Sequence, residues 1–302
     1  MKNSKPLAIV NGFGLSLGDS IIGLQALFAA HNLGHLPRPT LFRRTDCSAM
    51  VRALYLLAAD FADLADLPPA LSATPPPPLP GAVVAGFARV IDIRDFAFDP
   101  EFRGVAMIDF FFRRLGLDPR DIPPDLCRNS WLAPRLEPRR VAGLPERYLL
   151  FCPRASMTQR DMPIWAQQRV LRLMLDAQSL PVVTQGEAFA ECGPRLVAAP
   201  ALERIDALCG LVAHASGVVC TDTALPHIAD AWHVPCHAVF TTHRPEWRVR
   251  DYPHCTATAL PVRGLPPALE FLRSEDDLQA VQDGWVDGWP GLAADLERFL
   301  VS

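Results

Sequence analysis

Ala215–Pro235 reads ASGVVCTDTALPHIADAWHVP, and the fold class follows from it. Val218, Val219 and Cys220 form a short apolar run of the kind that becomes a buried strand. Thr221, Asp222 and Thr223 come at its carboxyl end, where open parallel α/β sheets place their ligands. His227–Trp232 continues with helical periodicity, so the backbone N–H groups of residues 223–228 belong to a helix N-terminus, which favours anions. Asp222 suits an acceptor at the rim of such a site, for N–H groups and ligand hydroxyls, with Thr223 and His227 facing the charge. An ordinary N-cap beside a core histidine would use the same residue types, so the motif needs a second one to carry weight.

Outward from this stretch the chain alternates strand and helix. Upstream stand strand Tyr148–Cys152, helix Ile164–Ala177, strand Pro181–Thr184, a further helix, and helix Ile205–Ala215; downstream comes strand Cys236–Phe240. The first half has the same rhythm: strand Leu7–Val10, loop Asn11–Gly18, helix Asp19–Phe28, strand Pro39–Arg44, helix Ser48–Ala59, strand Ala88–Phe96 and helix Val105–Leu115. The last contains three consecutive phenylalanines and reads as an interdomain core helix. Alternation on this scale means parallel sheets covered on both faces. Ala70–Pro80 is a stiff polyproline-type connector. Residues 118–147 are rich in Pro, Arg and Asp without periodicity, which sets domains at 1–130 and 148–302 with a linker at 131–147. Leu278–Leu300 is helical but interrupted at Gly284, Gly288, Pro290 and Gly291, and is expected to pack back on the N-terminal domain.

A chain of 302 residues, half of them hydrophobic, is long for one core and comfortable for two. Its net charge of −4 argues against a nucleic-acid partner held by bulk electrostatics. Lysine occurs only at Lys2 and Lys5, so a cationic phosphate ligand elsewhere must be arginine or histidine. The eight cysteines are scattered with no C-x-x-C pair, which speaks against a disulfide framework or a zinc site. Met1–Pro6 lacks the features of a secretory leader, and no apolar run reaches the ~20 residues of a membrane span. A cytoplasmic protein is expected.

The loop after the first strand supports two readings. Gly12, Gly14 and Gly18 spell G-x-G-x-x-x-G, which suits a dinucleotide fold, with Arg43 and Arg44 placed to take a 2′-phosphate. Alternatively the loop presents Asp19 at a helix start, where a carboxylate near a hydroxyl serves as general base. Asp92-Ile-Arg-Asp95 reads as strand-end polarity, and no carboxylate pair is spaced for a metal.

With Gly18-Asp19-Ser20-Ile21 opening the first helix and Asp222-Thr-Ala-Leu-Pro-His227 followed by Ile-Ala-Asp-Ala-Trp-His-Val-Pro235, the chain resembles glycosyltransferase family 9, the ADP-heptose:lipopolysaccharide heptosyltransferases. The resemblance extends through Asp109–Pro119 and Tyr148–Trp165. It implies GT-B architecture, two Rossmann-like parallel-sheet domains facing across a cleft, with the acceptor on the N-terminal side. Asp19 then matches the family's base for inverting transfer, with Gly14 and Gly18 in the acceptor-side loop. Backbone N–H groups of Thr223, Ala224 and Leu225, with His227 beside them, would stabilise the leaving diphosphate without a metal. Arg160 stands where the family has a basic residue before Trp-Pro, and arginine can bind phosphate in two-pronged fashion. Arg154 is a second candidate for the phosphate. Gly186 and Glu187 fall at the nucleoside position, with Glu187 accepting ribose hydroxyls, and Thr241-Thr242-His243 could close over the nucleotide.

Three departures stand out: Ala224 for the family glycine, Gln25 for a proline in the first helix, and Met162 for the tryptophan. The expected partners are a nucleotide-sugar donor and a saccharide or lipid-linked acceptor at the inner membrane face, with no nucleic acid and no cofactor. Two rivals remain, a catalytically degenerate transferase-like binding protein and a dinucleotide-dependent oxidoreductase.

Overall fold

The computed structural model describes residues 6–301 apart from 12, 74, 188, 190, 191, 267, 268 and 270. Gly12, the first glycine of the fingerprint, and the two lysines lie outside the described residues. The chain divides into two compact units. One holds the residues up to Leu136 together with Glu203–Ile205; the other holds Glu137–Leu202 and the residues from Asp206 on.

In chain order the first unit contains β1 (Leu7–Val10), α1 (Leu17–Asn32), β2 (Thr40–Arg44), α2 (Ala49–Leu56), β3 (Asp63–Leu67), α3 (Gly81–Val84), β4 (Arg89–Asp92) and α4 (Met107–Leu115). Its four strands are all parallel and lie in the order β3-β2-β1-β4. Strand β1 is buried throughout, as its LAIV sequence demands. Ser48 caps α2 through its hydroxyl, accepting from Val51 N–H. The three phenylalanines of α4 are fully buried. Phe111 meets Phe13 edge-on at 5.0 Å and Phe96 at 5.3 Å, so α4 packs the loop after β1 against the one after β4. Part of the Pro- and Arg-rich segment is bonded into this unit. The amide of Gln25, fully buried on α1, donates to Leu126 C=O at 2.7 Å and accepts from Trp131 N–H at 3.3 Å. A proline at position 25 would lose both contacts.

The second unit contains β5 (Leu149–Cys152), α5 (Ile164–Ala177), β6 (Val182–Thr184), β7 (Leu196–Ala198), α6 (Ile205–Ala213), β8 (Gly217–Thr221), α7 (Leu225–Ala231), β9 (Cys236–Phe240), β10 (Cys255–Ala259) and α8 (Glu275–Val301). Its six parallel strands run β10-β9-β8-β5-β6-β7. Between β6 and α6, where a helix was expected, the described residues hold strand β7 instead and no α-helix. Helix α8 is continuous through all four of its helix breakers. A Cβ on Gly284 would lie 2.6 Å from the Val262 side chain, and one on Gly288 would lie 2.7 Å from Pro261. Those glycines therefore let the helix approach the chain after β10 closely, and packing outweighs their low helix propensity. Trp285, Leu292, Leu296 and Leu300 of α8 join Val170, Leu171 and Met174 of α5 in one core. No helix of the described residues is long and apolar enough to cross a membrane.

The strand orders fix where a ligand can sit. In the second sheet the connections leave β5 toward β6 and β7 on one side and β8 toward β9 and β10 on the other. The direction reverses between β5 and β8, where Cys152 is paired with Cys220. Open α/β sheets bind ligands in the crevice outside the carboxyl ends of such a strand pair. In the first sheet the same reversal falls between β1 and β4.

Candidate active site

At the second unit's switch point, the β5–α5 loop and the β8–α7 turn meet. Asp161 Oδ1 accepts from Ala155 N–H at 2.7 Å and Met162 N–H donates to Pro153 C=O at 2.8 Å, which folds Pro153–Met162 into a compact loop. Met162, in place of the family tryptophan, is 1% exposed and belongs to the core. The last turn of this loop carries Arg160, whose Nε lies 3.6 Å from Asp222 Oδ2. The same carboxylate oxygen accepts from His243 Nδ1 at 3.0 Å, with the imidazole fully enclosed. Asp222 is 5% exposed, so it is a buried hub that joins a guanidinium and an imidazole and not an acceptor at the rim.

This arrangement resolves the awkwardness of an aspartate at an anion site. Burial alone pushes the Asp222 carboxyl up, but Arg160, the hydrogen bond and charge of His243, and Arg248 outweigh it and hold the group well below the usual carboxylate range. The carboxylate stays ionised and its charge is answered by surrounding cations. His227 is buried with its Nδ1 2.8 Å from the Tyr252 hydroxyl, the rings edge-on. Burial pushes its imidazole down to about 4, with Asp222 opposing and Arg248 adding to the shift. At neutral pH His227 is therefore an uncharged hydrogen-bonding group.

The turn itself departs from the expected donor set. Leu225 N–H donates to Thr223 Oγ1 at 3.2 Å, and Pro226 has no N–H. Thr223 and Ala224 then head the list of backbone donors. Ala224 has φ −71° and ψ −15°, a conformation open to any L-residue, so the backbone there does not require the family glycine. Thr241 Oγ1 donates to Gln159 C=O at 2.7 Å, tying the end of β9 to the loop that carries Arg160. The hydroxyls of Thr221 and Thr242 are buried without a hydrogen-bond partner among the described residues.

Gly186 and Glu187 follow β6, one strand over from the switch point. A Cβ on Gly186 would fall 2.4 Å from Pro153 Cγ, so this glycine permits close packing of the two loops. Glu187 pairs with Arg154 at 2.5 Å, both half exposed. Neither contacts the Asp222 cluster in the described structure. Arg248 and Tyr252 escaped sequence reasoning; the only signal was the density of Arg, His and aromatic residues in HRPEWRVRDY after the last predicted strand.

In the first unit, Ser16 is the N-cap of α1 and its hydroxyl accepts from Asp19 N–H at 3.2 Å. Asp19 is thus the third helical residue, and the N-cap is Ser16. Gly18 is the second, half-buried. Gly14 has φ +85°, and a Cβ there would lie 3.3 Å from Asp19 Oδ2 and 3.7 Å from the Phe96 ring. A side chain at 14 would strain the turn and crowd the carboxylate. Arg43 and Arg44, considered for a 2′-phosphate, are paired with Asp66 at 3.0 Å and Asp46 at 2.7 Å. Asp92 is paired with Arg94. Among the described residues, no three or more His, Cys, Asp or Glu side chains gather as a metal site.

One consequence concerns acid stability. His227 and His237 are both buried, and burial holds each at about 4, below the ordinary 6.5 of an unfolded chain. The unfolded state then takes up protons that the folded state refuses. Stability is fully present above pH 6.5 and is lost as pH falls from 6.5 toward 4, by on the order of 3 kcal/mol per histidine. Asp222, with its lowered value, adds loss only below the ordinary carboxylate range. Melting temperature measured from pH 7.5 to 4 should fall across that window, and the slope should flatten in His227→Asn and His237→Asn.

Two parallel-sheet α/β units, each with a switch point, make up the two-domain fold of the solved glycosyltransferases that the chain resembles. Residues 132–253, about two fifths of the chain, match the family model Glycosyltransferase family 9 (heptosyltransferase); the matched range includes Arg160, Asp222, His227, His243 and Tyr252. The solved structures it resembles bear out the fold. E. coli heptosyltransferase WaaC with ADP-2-deoxy-2-fluoro heptose is 15% identical, with 85% of this chain and 93% of that chain covered and a TM-score of 0.54. E. coli ADP-heptose lps heptosyltransferase II is 14% identical over 93% and 98%, TM-score 0.57. The iron-containing dodecameric glycosyltransferase TibC from enterotoxigenic E. coli H10407 is 16% identical over 98% and 77%, TM-score 0.62. No curated protein sequence matches the chain.

Proposed function

We propose that the chain transfers a sugar from a nucleotide-sugar donor to a hydroxyl of a saccharide or lipid-linked acceptor at the inner membrane face, with inversion and without a metal. The first donor to try is ADP-heptose, since WaaC was solved with an analogue of it. The observation that carries the reading is the meeting of Arg160, Asp222 and His243 at the switch point of a family 9 domain. Arg160 and the N–H groups of Thr223 and Ala224 take the diphosphate, with His227 beside them; Gly186, Glu187 and Thr241 border the nucleoside. Asp19, with Gly14 and Gly18 shaping its loop, takes the proton of the acceptor hydroxyl. The acceptor oxygen bonds to the anomeric carbon as the carbon–oxygen bond to the diphosphate breaks, and the nucleoside diphosphate leaves with the bonding pair. Stabilising that departing charge in a dry, preorganised site is the largest service such a protein can render.

The test is thermal denaturation with ADP, UDP, GDP, CMP, dTDP and NADPH. A ligand held only by the folded state stabilises it by about 2.7 kcal/mol at a hundred times its Kd. ADP should raise the melting temperature of the protein and fail to do so in Arg160→Ala. Stabilisation by NADPH alone would move the site to the first glycine loop and overturn the reading; silence from all six would favour a degenerate binding protein.

A further inference from the structure

We infer that His243 is a positioning residue which acts through Asp222 to hold the Arg160 guanidinium at the second unit's switch point. Its consequence for phosphate rests on the function proposed above. His243 follows β9 by three residues, and its side chain has no solvent exposure. Its Nδ1 is 3.0 Å from Asp222 Oδ2, so that nitrogen donates to the carboxylate. The same oxygen lies 3.6 Å from Arg160 Nε, and the Arg160 side chain is 16% exposed against 6% for Asp222. A single buried oxygen thus serves one enclosed imidazole and one guanidinium that reaches solvent. His243 orients the carboxylate; the carboxylate orients the arginine. The loop that carries Arg160 is fastened to the same segment a second time, by Thr241 Oγ1 on Gln159 C=O. The end of β9 therefore sets the place of an arginine that belongs to a loop some eighty residues earlier. Asparagine at 243 offers an amide N–H close to where Nδ1 stands, whereas leucine fills the space and offers none.

The experiment reads Arg160 without any ligand first. The purified protein, His243→Asn and His243→Leu are treated with phenylglyoxal, and modification of Arg160 is followed by peptide mass spectrometry. Arg160 should react at least several-fold faster in His243→Leu and at near the unsubstituted rate in His243→Asn. Equal rates in all three would overturn the inference. ADP affinity is then measured by calorimetry on the same three proteins. A loss of about tenfold in His243→Leu, restored in His243→Asn, is the size expected from one misplaced charge-assisted contact. Should Arg160 become reactive while ADP binding stays unchanged, the inference about His243 stands on the reactivity and the assignment of Arg160 to the diphosphate fails; should none of the three bind ADP, the inference again stands on the reactivity and it is the choice of ADP as the nucleotide that fails.

Discussion

Asp19→Asn is expected to lower kcat by ~10²–10⁴-fold while leaving nucleoside diphosphate affinity unchanged. A sugar hydroxyl is a poor nucleophile, and a positioned carboxylate contributes that much by accepting its proton as the bond forms. The substitution removes that charge and leaves the helix cap in place. The cap of α1 is the Ser16 hydroxyl, which accepts from Asp19's backbone N–H and would go on doing so. Asparagine has nearly the shape of aspartate, so the approach of Gly14 to the side chain is kept. The helix N-terminus loses one favourable charge, worth well under the catalytic effect at ~0.3–1 kcal/mol. The measurement is product formation from ADP-heptose beside an ADP titration of the same preparation. Undiminished turnover in Asp19→Asn would remove the base from this position.

Asp222→Ala should destabilise the second unit by about 3–5 kcal/mol, because it removes the buried carboxylate that Arg160 and His243 address. Arg160 and His243 both address the carboxylate directly, and Arg248 contributes to holding it ionised. Without it the imidazole of His243 sits fully enclosed with its hydrogen-bond acceptor gone. Asp222→Asn keeps the volume and one oxygen, so it should cost less stability while still weakening ADP binding through a displaced Arg160. Urea denaturation of both variants gives the stability order, and calorimetry with ADP gives the affinity order. If Asp222→Ala unfolds like the unsubstituted protein, the cluster contributes nothing net and its role in the fold is refuted.

The legible part of the fold was its buried centre. Strands β1, β5, β8 and β9 announce themselves as apolar runs because both faces of a central parallel strand are covered. The three strands that escaped, β3, β7 and β10, are all edge strands. Their sequences, DLADL, LVA and CTATA, are short or half polar, since an edge strand exposes more of itself. Helix α8 misled for the opposite reason: its glycines and proline signal a break locally, yet Gly284 and Gly288 fit it against Leu260–Val262. The phenylalanines of α4 were read as core, but local pattern could not say which core.

The site divides along the same line. Sequence alone established that Asp19 and Asp222 each follow a strand at a helix start, because that relation is carried by residues a few positions apart. It also established that any phosphate cation beyond the first few residues had to be arginine or histidine. Only the tertiary structure decided that Asp222 is an interior hub and not a rim acceptor, that His243 and Arg160 share one of its oxygens, and that the Leu225 N–H is taken by Thr223. Those facts join loops after β5, β8 and β9, whose proximity comes from a strand order that sets β8 beside β5 although β6 and β7 separate them in the chain. Whether a buried carboxylate repels an anion or organises the cations that receive it depends on distances of a few ångströms between such loops, because charge interactions are that steep once water is excluded.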